Sequence, residues 1–129
     1  MHRFVVVTYD RTRRFAHVQY QDGAIETLAD VAQFRQEIES QLAPIPKPVD
    51  IIVGLGKLTV KPSVAAAYDE VRQQLTAQTA RRAYRYGGST LVRTKVLTSS
   101  TLHGQTPNLF ETFDDAVRAL ETDRARDAT

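Results

Sequence analysis

The first twenty positions contain two short runs of residues that are typical of paired β-strands. Residues 4–9 are rich in β-branched and aromatic side chains, which favour a strand. Residues 15–20 alternate, with Phe15, His17 and Gln19 on one face and Ala16, Val18 and Tyr20 on the other. The polar segment 10–14 between the two runs suits a hairpin connection. The pattern therefore predicts an antiparallel hairpin at the start of the chain.

The spacing of apolar residues changes to a helical period after residue 26. Thr27 and Asp30 have the spacing of a capping box, which marks the start of a helix. Apolar residues then recur every three or four positions, at Leu28, Val31, Phe34, Ile38 and Leu42. Prolines at positions 44, 46 and 48 end the helical pattern. The spacing predicts a helix over 28–43.

The rest of the chain alternates between strand and helix patterns. Residues 49–53 form a short, mostly apolar run, typical of a strand that is buried on both faces. Pro62 suits the first turn of the helix that follows. The remaining predicted elements are a helix over 62–77, a strand over 82–86, a weaker helix over 89–102, a strand over 108–110 and a last helix behind the capping pair Thr112 and Asp115.

This order of elements is typical of a single α/β domain. Strands that alternate with helices form a mostly parallel sheet, here with an N-terminal antiparallel hairpin and about four helices. We assign residues 1–122 to the domain and expect residues 123–129 to be a polar C-terminal tail that frays. The residues predicted to be buried are Val31, Phe34, Ile38, Ile52, Val64, Tyr68, Val71, Phe113 and Leu120.

The composition excludes several kinds of functional site and several classes of protein. The absence of Cys excludes disulfides, thiolate metal sites and a Cys nucleophile, and it agrees with a cytoplasmic location. The net charge of +2 is too small to indicate nucleic acid. The apolar run at residues 4–7 is too short for a signal peptide, and no apolar stretch is long enough to cross a membrane. His2, His17 and His103 lie far apart, so we expect no metal site and no cofactor.

Three further features have both a chemical and a structural interpretation. Residues 54–57 contain two glycines and a lysine but lack the full phosphate-loop pattern, so they indicate a turn. Asp50 in the apolar run indicates a hydrogen-bonded acid near the start of a strand rather than an active-site acid. Tyr84 and Tyr86 alternate with Arg85, as in some surfaces that stack bases, but we expect their rings to pack under a helix.

The order of elements and three segments resemble the STAS domain, the fold of anti-sigma factor antagonists and of sulfate-transporter tails. The segment 22–25 is similar to the family's strand and glycine before the first helix, and 49–53 is similar to its central strand. The segment 108–116 is similar to the last strand and capped helix of uncharacterised bacterial STAS-like proteins, whose segment before the third helix resembles Arg85-Tyr86-Gly87. The resemblance spans nearly the whole chain and implies the same fold.

The resemblance also draws attention to Ser63. Phosphorylated members of the family place Asp-Ser-Ser-Gly at this point, whereas this chain has Lys61-Pro62-Ser63-Val64. The serine is kept without its neighbouring acid and glycine, so the resemblance implies a degenerate phospho-serine site, with Ser63 as the candidate acceptor. The structural alternative is that Ser63 caps the second helix.

The sequence favours a regulatory protein-binding module that is not an enzyme. We expect another protein to bind around the loop 54–61, with Lys57, Lys61 and Ser63 exposed, and the arginines Arg81, Arg82 and Arg93 offer a second candidate surface. A small-molecule or lipid-binding STAS-like domain is the alternative, and a large apolar cavity would favour it. Nothing in the sequence directly supports an enzyme. The sequence leaves open whether the chain forms a homodimer.

Overall fold

A computed structural model describes residues 3–88 and 108–128 of the chain. Within these ranges the strands are β1 (Val5–Asp10), β2 (Phe15–Tyr20), β3 (Gly23–Ile25), β4 (Val49–Gly54), β5 (Leu58–Val60), β6 (Ala80–Tyr86) and β7 (Leu109–Phe110). The helices are α1 (Leu28–Leu42), α2 (Ala65–Thr79) and α3 (Phe113–Asp127), and a 3₁₀ turn, Pro62–Val64, precedes α2.

Five strands form the main sheet in the order β1-β2-β4-β6-β7. The hairpin of β1 and β2 is antiparallel, and every later pair is parallel. In the hairpin turn, the Asp10 carboxylate accepts hydrogen bonds from the backbone N–H groups of Thr12 and Arg13. The predicted α/β architecture, with its mostly parallel sheet and antiparallel hairpin, is confirmed.

A second, two-stranded sheet pairs β3 with β5 in parallel. The family resemblance implied a strand at 22–25, but β5 and the separate sheet were not predicted, because a strand of three residues is too short to show an alternating pattern. The two strands leave the ends of β2 and β4 and lead to α1 and α2. Ile25 and Leu58 anchor this small sheet in the core, with 0% and 3% of their surfaces exposed.

Helices cover both faces of the main sheet. The larger core packs α1 and α2 against one face, and α3 packs against the other over Phe15, Ile52 and Tyr84. Of the predicted core residues, those that are buried are Val31, Phe34, Ile38, Ile52, Val64 and Leu120. Tyr68, Val71 and Phe113 are only partly buried, because each lies at the margin of its cluster.

Polar side chains of α1 cover the outer edge of β1. The Glu37 carboxylate accepts hydrogen bonds from the backbone N–H groups of Phe4 and Val5, at 2.8 and 3.1 Å. The Gln41 amide accepts from the Val7 N–H and donates to the Val5 carbonyl. The outward N–H groups of residues 4, 5 and 7 are therefore satisfied by a helix of the same chain.

The predicted helices differ from the observed ones in one start and in their number, and one residue of the first apolar stripe is exposed. Leu28 is 67% exposed, since it occupies the first position of α1, before the helix reaches the sheet. The second helix begins at Ala65 rather than residue 62, because the chain first makes the 3₁₀ turn. The described residues contain three helices instead of about four, and the predicted helix 89–102 lies outside them.

The last helix also differs from the prediction, because it continues to Asp127 instead of ending before a frayed tail at 123–129. Side chains in its final turns bind the sheet: Asp123 accepts a hydrogen bond from Tyr84, and Arg124 binds Asp50. These contacts stabilise a segment whose composition looks solvated. None of the helices in the described ranges combines the length and the apolar character needed to cross a bilayer.

Candidate functional site

The loop after β4 is fixed tightly against the carboxyl edge of the main sheet. The Leu55 N–H donates to the Tyr86 carbonyl at 3.0 Å. Gly56 has a φ of 55°, and a Cβ there would lie 2.7 Å from the Tyr20 carbonyl oxygen. Only glycine combines this left-handed backbone with such a close approach. Residues 54–57 therefore form a structural turn, as predicted, and this turn fixes the position at which β5 begins.

The amino termini of α1 and α2 follow the small sheet side by side. The Lys61 N–H donates to the Ile25 carbonyl at 2.8 Å. This hydrogen bond joins the segment that leads into α1 to the segment that leads into α2. Thr27 and Asp30 form the predicted capping box on α1. In contrast, α2 has Val64 at its N-cap position, no side-chain cap and no acid in its first turn. Its first N–H groups thus lack the side-chain partner that most helices provide.

Lys57, Lys61 and Ser63 are all exposed at this edge, as expected. The two lysines flank β5, so their backbones are about 13 Å apart at the usual rise of a strand. Ser63 lies inside the 3₁₀ turn, and its side chain caps neither that turn nor α2. The capping role that offered a structural explanation for Ser63 is therefore absent from this geometry.

The electrostatics of this edge favour a negatively charged group. The amino terminus of an α-helix carries the positive end of its dipole, and an anion there gains about 0.3–1 kcal/mol. The first turn of α2 holds no acid. Lys57 and Lys61 add two positive charges, and the register of the small sheet places the exposed acids Asp22 and Glu26 beside them. A phosphate on Ser63 would therefore be stabilised mainly by the uncapped start of α2.

His17 lies beneath this edge in an aromatic cluster on the α3 side of the sheet. Its Nε2 is 2.7 Å from the Tyr86 hydroxyl, and its ring centroid lies 4.6 Å from that of Phe113. Burial lowers the pKa of His17 and raises that of Tyr86. His17 is a packed, hydrogen-bonded histidine, and no group of three potential metal ligands is found in the described ranges.

Tyr84 and Tyr86 pack under α3, as predicted from their alternation with Arg85. Tyr84 is 1% exposed, and its hydroxyl donates to Asp123 at 2.6 Å. Burial and this hydrogen bond raise the pKa of Tyr84. Tyr86 contacts the Phe113 ring edge-on at 5.7 Å. Because both rings are occupied by α3, this strand offers no aromatic platform for stacked bases.

The main sheet and the α1–α2 layer enclose a cavity of about 40 Å³. Apolar side chains from both layers line it, together with Arg72 and Arg85. Pockets that hold small molecules usually measure about 300–1,000 Å³. The space between sheet and helices is therefore well below the size of a lipid or metabolite site.

An ion-pair cluster occupies the opposite, amino edge of the sheet and was missed by the sequence analysis. Asp50 is 5% exposed and pairs with Arg82 on β6 and Arg124 on α3. Asp50 is thus a hydrogen-bonded acid, as predicted, but its partners are side chains rather than water or backbone. An acid inside an apolar strand was a signal that buried cations lay nearby. Arg93, named with Arg81 and Arg82 as a second surface, lies outside the described residues.

Comparison with known proteins identifies the fold but not the family. No protein-family description matches the sequence, and no curated protein is significantly similar to it. The structure is similar to that of an uncharacterised DUF3478-family protein from Shewanella loihica, which has a SpoIIAA-like fold. The TM-score is 0.58 at 18% identity, and the match covers 90% of this chain and 91% of that one. The chain therefore has a SpoIIAA-like fold, in agreement with the resemblance seen in its sequence.

Proposed function

We propose that this SpoIIAA-like domain is a non-catalytic regulatory module that binds another protein through its carboxyl edge. The observation that carries the proposal is the exposure of Lys57, Lys61 and Ser63 on a tightly fixed loop beside an uncapped helix. A preordered surface loses little conformational entropy when a partner binds. Lys57 and Lys61 can pair with acidic groups of the partner, while Asp22 and Glu26 beside them add charges of the opposite sign that would contribute to specificity.

Ser63 is the point at which this interaction would be regulated. Its hydroxyl is exposed and takes no part in capping, so a kinase could reach it without breaking the helix. A phosphate there would add about −2 charge at the positive end of α2. That charge would be stabilised within the domain, and it would oppose an acidic partner that the lysines attract.

The alternative, a small molecule or lipid held between sheet and helices, has weaker support. The cavity at that position is about 40 Å³, compared with roughly 300 Å³ or more for ordinary ligand pockets. A ligand there would have to separate α1 and α2 from the sheet. Binding of a partner at the outer edge needs no such rearrangement.

Affinity capture with matched charge reversals tests the proposal. The tagged chain, the double variant Lys57→Glu/Lys61→Glu and the control Arg11→Glu/Arg118→Glu serve as baits in a lysate of the source organism. The control changes the net charge equally but alters the hairpin turn and α3, away from the proposed edge. Quantitative mass spectrometry should show a protein that wild type and control enrich and the Lys57/Lys61 variant loses.

Ser63→Asp provides the regulatory arm of the same experiment. We expect it to weaken capture of that protein, whereas Ser63→Ala should retain it. Equal enrichment by all four altered baits and by wild type would place the partner surface elsewhere. Circular dichroism of each variant separates lost binding from lost structure.

A further inference from the structure

A groove of about 520 Å³ opens at the amino edge of the main sheet, on the side opposite Ser63. This volume falls within the range of small-molecule sites. Four arginines line it, Arg14 from the hairpin turn, Arg81 and Arg82 from β6 and Arg124 from α3. Two acids, Asp50 and Asp127, also line it, which leaves a formal charge of +2.

Asp50 holds two of these arginines in place. Its position in β4 is paired with that of Arg82 in β6, and Arg82 Nη1 lies 3.3 Å from both carboxylate oxygens. Arg124 Nε donates to Asp50 Oδ2 at 2.9 Å, and Arg124 Nη2 donates to the Arg14 carbonyl at 2.8 Å. Asp127 binds the other end of Arg82. The Arg82 and Arg124 guanidinium groups are therefore prepositioned in the groove wall.

Arg14 and Arg81 have a different environment, because neither guanidinium binds a partner within the described ranges 3–88 and 108–128. Both residues are exposed, and both line the groove. Arg14 lines it from the hairpin turn and Arg81 from β6, so two elements contribute unpaired charges to the wall. An anion placed there would gain charge-assisted hydrogen bonds without breaking existing ones.

The backbone is irregular at both of these arginines. Arg14 has a φ of 58°, held by a hydrogen bond from its N–H to the Asp10 carbonyl at 2.7 Å. A non-glycine residue in this region costs on the order of 1 kcal/mol. Val49 pairs with Ala80 but Asp50 pairs with Arg82, so Arg81 is the extra residue of a bulge. Bulges and left-handed residues re-aim side chains, and they are concentrated near binding sites.

We propose that this groove binds a small phosphate monoester. The charge of +2 matches a dianionic phosphate, which Arg14 and Arg81 would bind directly. Tyr9, Pro46 and Pro48 supply an apolar wall for the organic part of the molecule. The site is separate from the proposed protein-binding edge, and either proposal can fail without the other.

Calorimetric titration with phenyl phosphate tests the proposal, because the probe combines a dianion with an apolar ring. Phenyl phosphate should bind more tightly than phenyl sulfate, which carries one charge, and more tightly than inorganic phosphate, which has no ring. Affinity should fall as salt increases, since screening weakens contacts between exposed charges. No binding of phenyl phosphate at about 10 mM, far weaker than a typical ligand site, would overturn the proposal.

Two substitutions connect binding to the groove. Arg14→Gly removes a guanidinium while glycine keeps the left-handed backbone, so the fold should persist or gain stability. Arg81→Gln removes the other free charge. Each substitution should lower the affinity for phenyl phosphate about tenfold, which is the size expected for the loss of one charge-assisted hydrogen bond. Arg118→Gln, on the exposed face of α3, should leave affinity unchanged. Wild-type affinity in both groove variants would overturn the assignment.

Vesicles distinguish a lipid headgroup from a free small molecule as the source of the phosphate. Phosphatidylcholine vesicles with phosphatidic acid present a monoester at a surface, and vesicles of phosphatidylcholine alone do not. Sedimentation of wild type, but not Arg14→Gly, with the phosphatidic acid vesicles assigns the headgroup. Binding of phenyl phosphate without sedimentation assigns a free ester. Lys57→Glu/Lys61→Glu should bind phenyl phosphate like wild type, which separates this test from that of the protein-binding edge.

Discussion

Phe34 and Leu28 belong to the same apolar stripe of α1 but have opposite environments. Phe34 is fully buried and contacts the rings of Tyr20 and Tyr68, with centroids 5.5 and 5.0 Å away. Leu28 is 67% exposed at the start of the helix. Periodicity placed both residues in one stripe, although only Phe34 was predicted to be buried, because periodicity reports which side of a helix a residue occupies but not how far the neighbouring layer extends.

Substitution of each by Ala should separate the two environments. Phe34→Ala should cost about 3–5 kcal/mol, because it removes a buried ring and leaves a cavity. Leu28→Ala should stay within about 0.5 kcal/mol of wild type. Urea unfolding followed by circular dichroism measures both. A loss below about 1 kcal/mol for Phe34→Ala would contradict the observed core.

His17 provides a pH-dependent test of packing. Burial lowers the pKa of His17 in the folded state from its ordinary value of 6.5. As the pH falls below 6.5, the unfolded chain therefore takes up a proton on this ring before the folded chain does. We expect the contribution of His17 to stability to be complete above about pH 6.5 and to be lost below it. Urea unfolding between pH 8 and 5 should show a smaller decline for His17→Gln.

At the scale of elements, the final turns of α3 act as part of the core although their composition is polar. Asp123 binds the buried Tyr84, and Arg124 binds the buried Asp50. A polar side chain in a sequence cannot show whether its partner is water or another element. Asp123 and Arg124 lie three and four positions after the buried Leu120, so they continue the same face of the helix. This spacing was the signal in the sequence that the helix extends past residue 122.

Truncation of the chain should reveal this role. Ending the chain after Thr122 leaves the Tyr84 hydroxyl and the Asp50 carboxylate without their α3 partners. We expect a loss of about 2–4 kcal/mol, since the buried Tyr84 hydroxyl becomes unsatisfied and the buried Asp50 keeps only Arg82 as a partner. Ending it after Asp127 instead should change stability by less than about 0.5 kcal/mol. Equal stability of the two truncated chains would mean that residues 123–127 do not stabilise the sheet.

The uncapped start of α2 predicts a stabilising substitution. Ser63→Asp places a negative charge at the positive end of the helix, and should add about 0.3–1 kcal/mol. Ser40→Asp is the matched opposite, because Ser40 is exposed near the carboxyl terminus of α1, where the charge should destabilise by a similar amount. Thermal unfolding at low and high salt measures both shifts. Changes of the same sign in the two variants would exclude the dipole as their cause.

At the scale of the whole molecule, the sequence predicted the strands of the sheet better than the two surfaces formed at the amino and carboxyl ends of those strands. The hairpin and β4 were evident, because alternation and a continuous apolar run each have one common structural explanation. The amino-edge groove was not evident, because it joins Arg14 to Arg124, which are 110 positions apart and meet only after the sheet has formed. At the carboxyl edge, the exposure of Lys57, Lys61 and Ser63 was predicted, whereas the missing cap of α2 required the structure.

The covering of β1 by α1 determines how copies of this chain can meet. An uncovered edge strand is a template for a strand of another molecule, and this is a common route to dimers and fibrils. Glu37 and Gln41 already occupy the outward N–H groups of Phe4, Val5 and Val7. A neighbouring chain would have to displace both side chains before it could extend the sheet. The side chains of α1 therefore protect the first half of β1 from edge-to-edge aggregation.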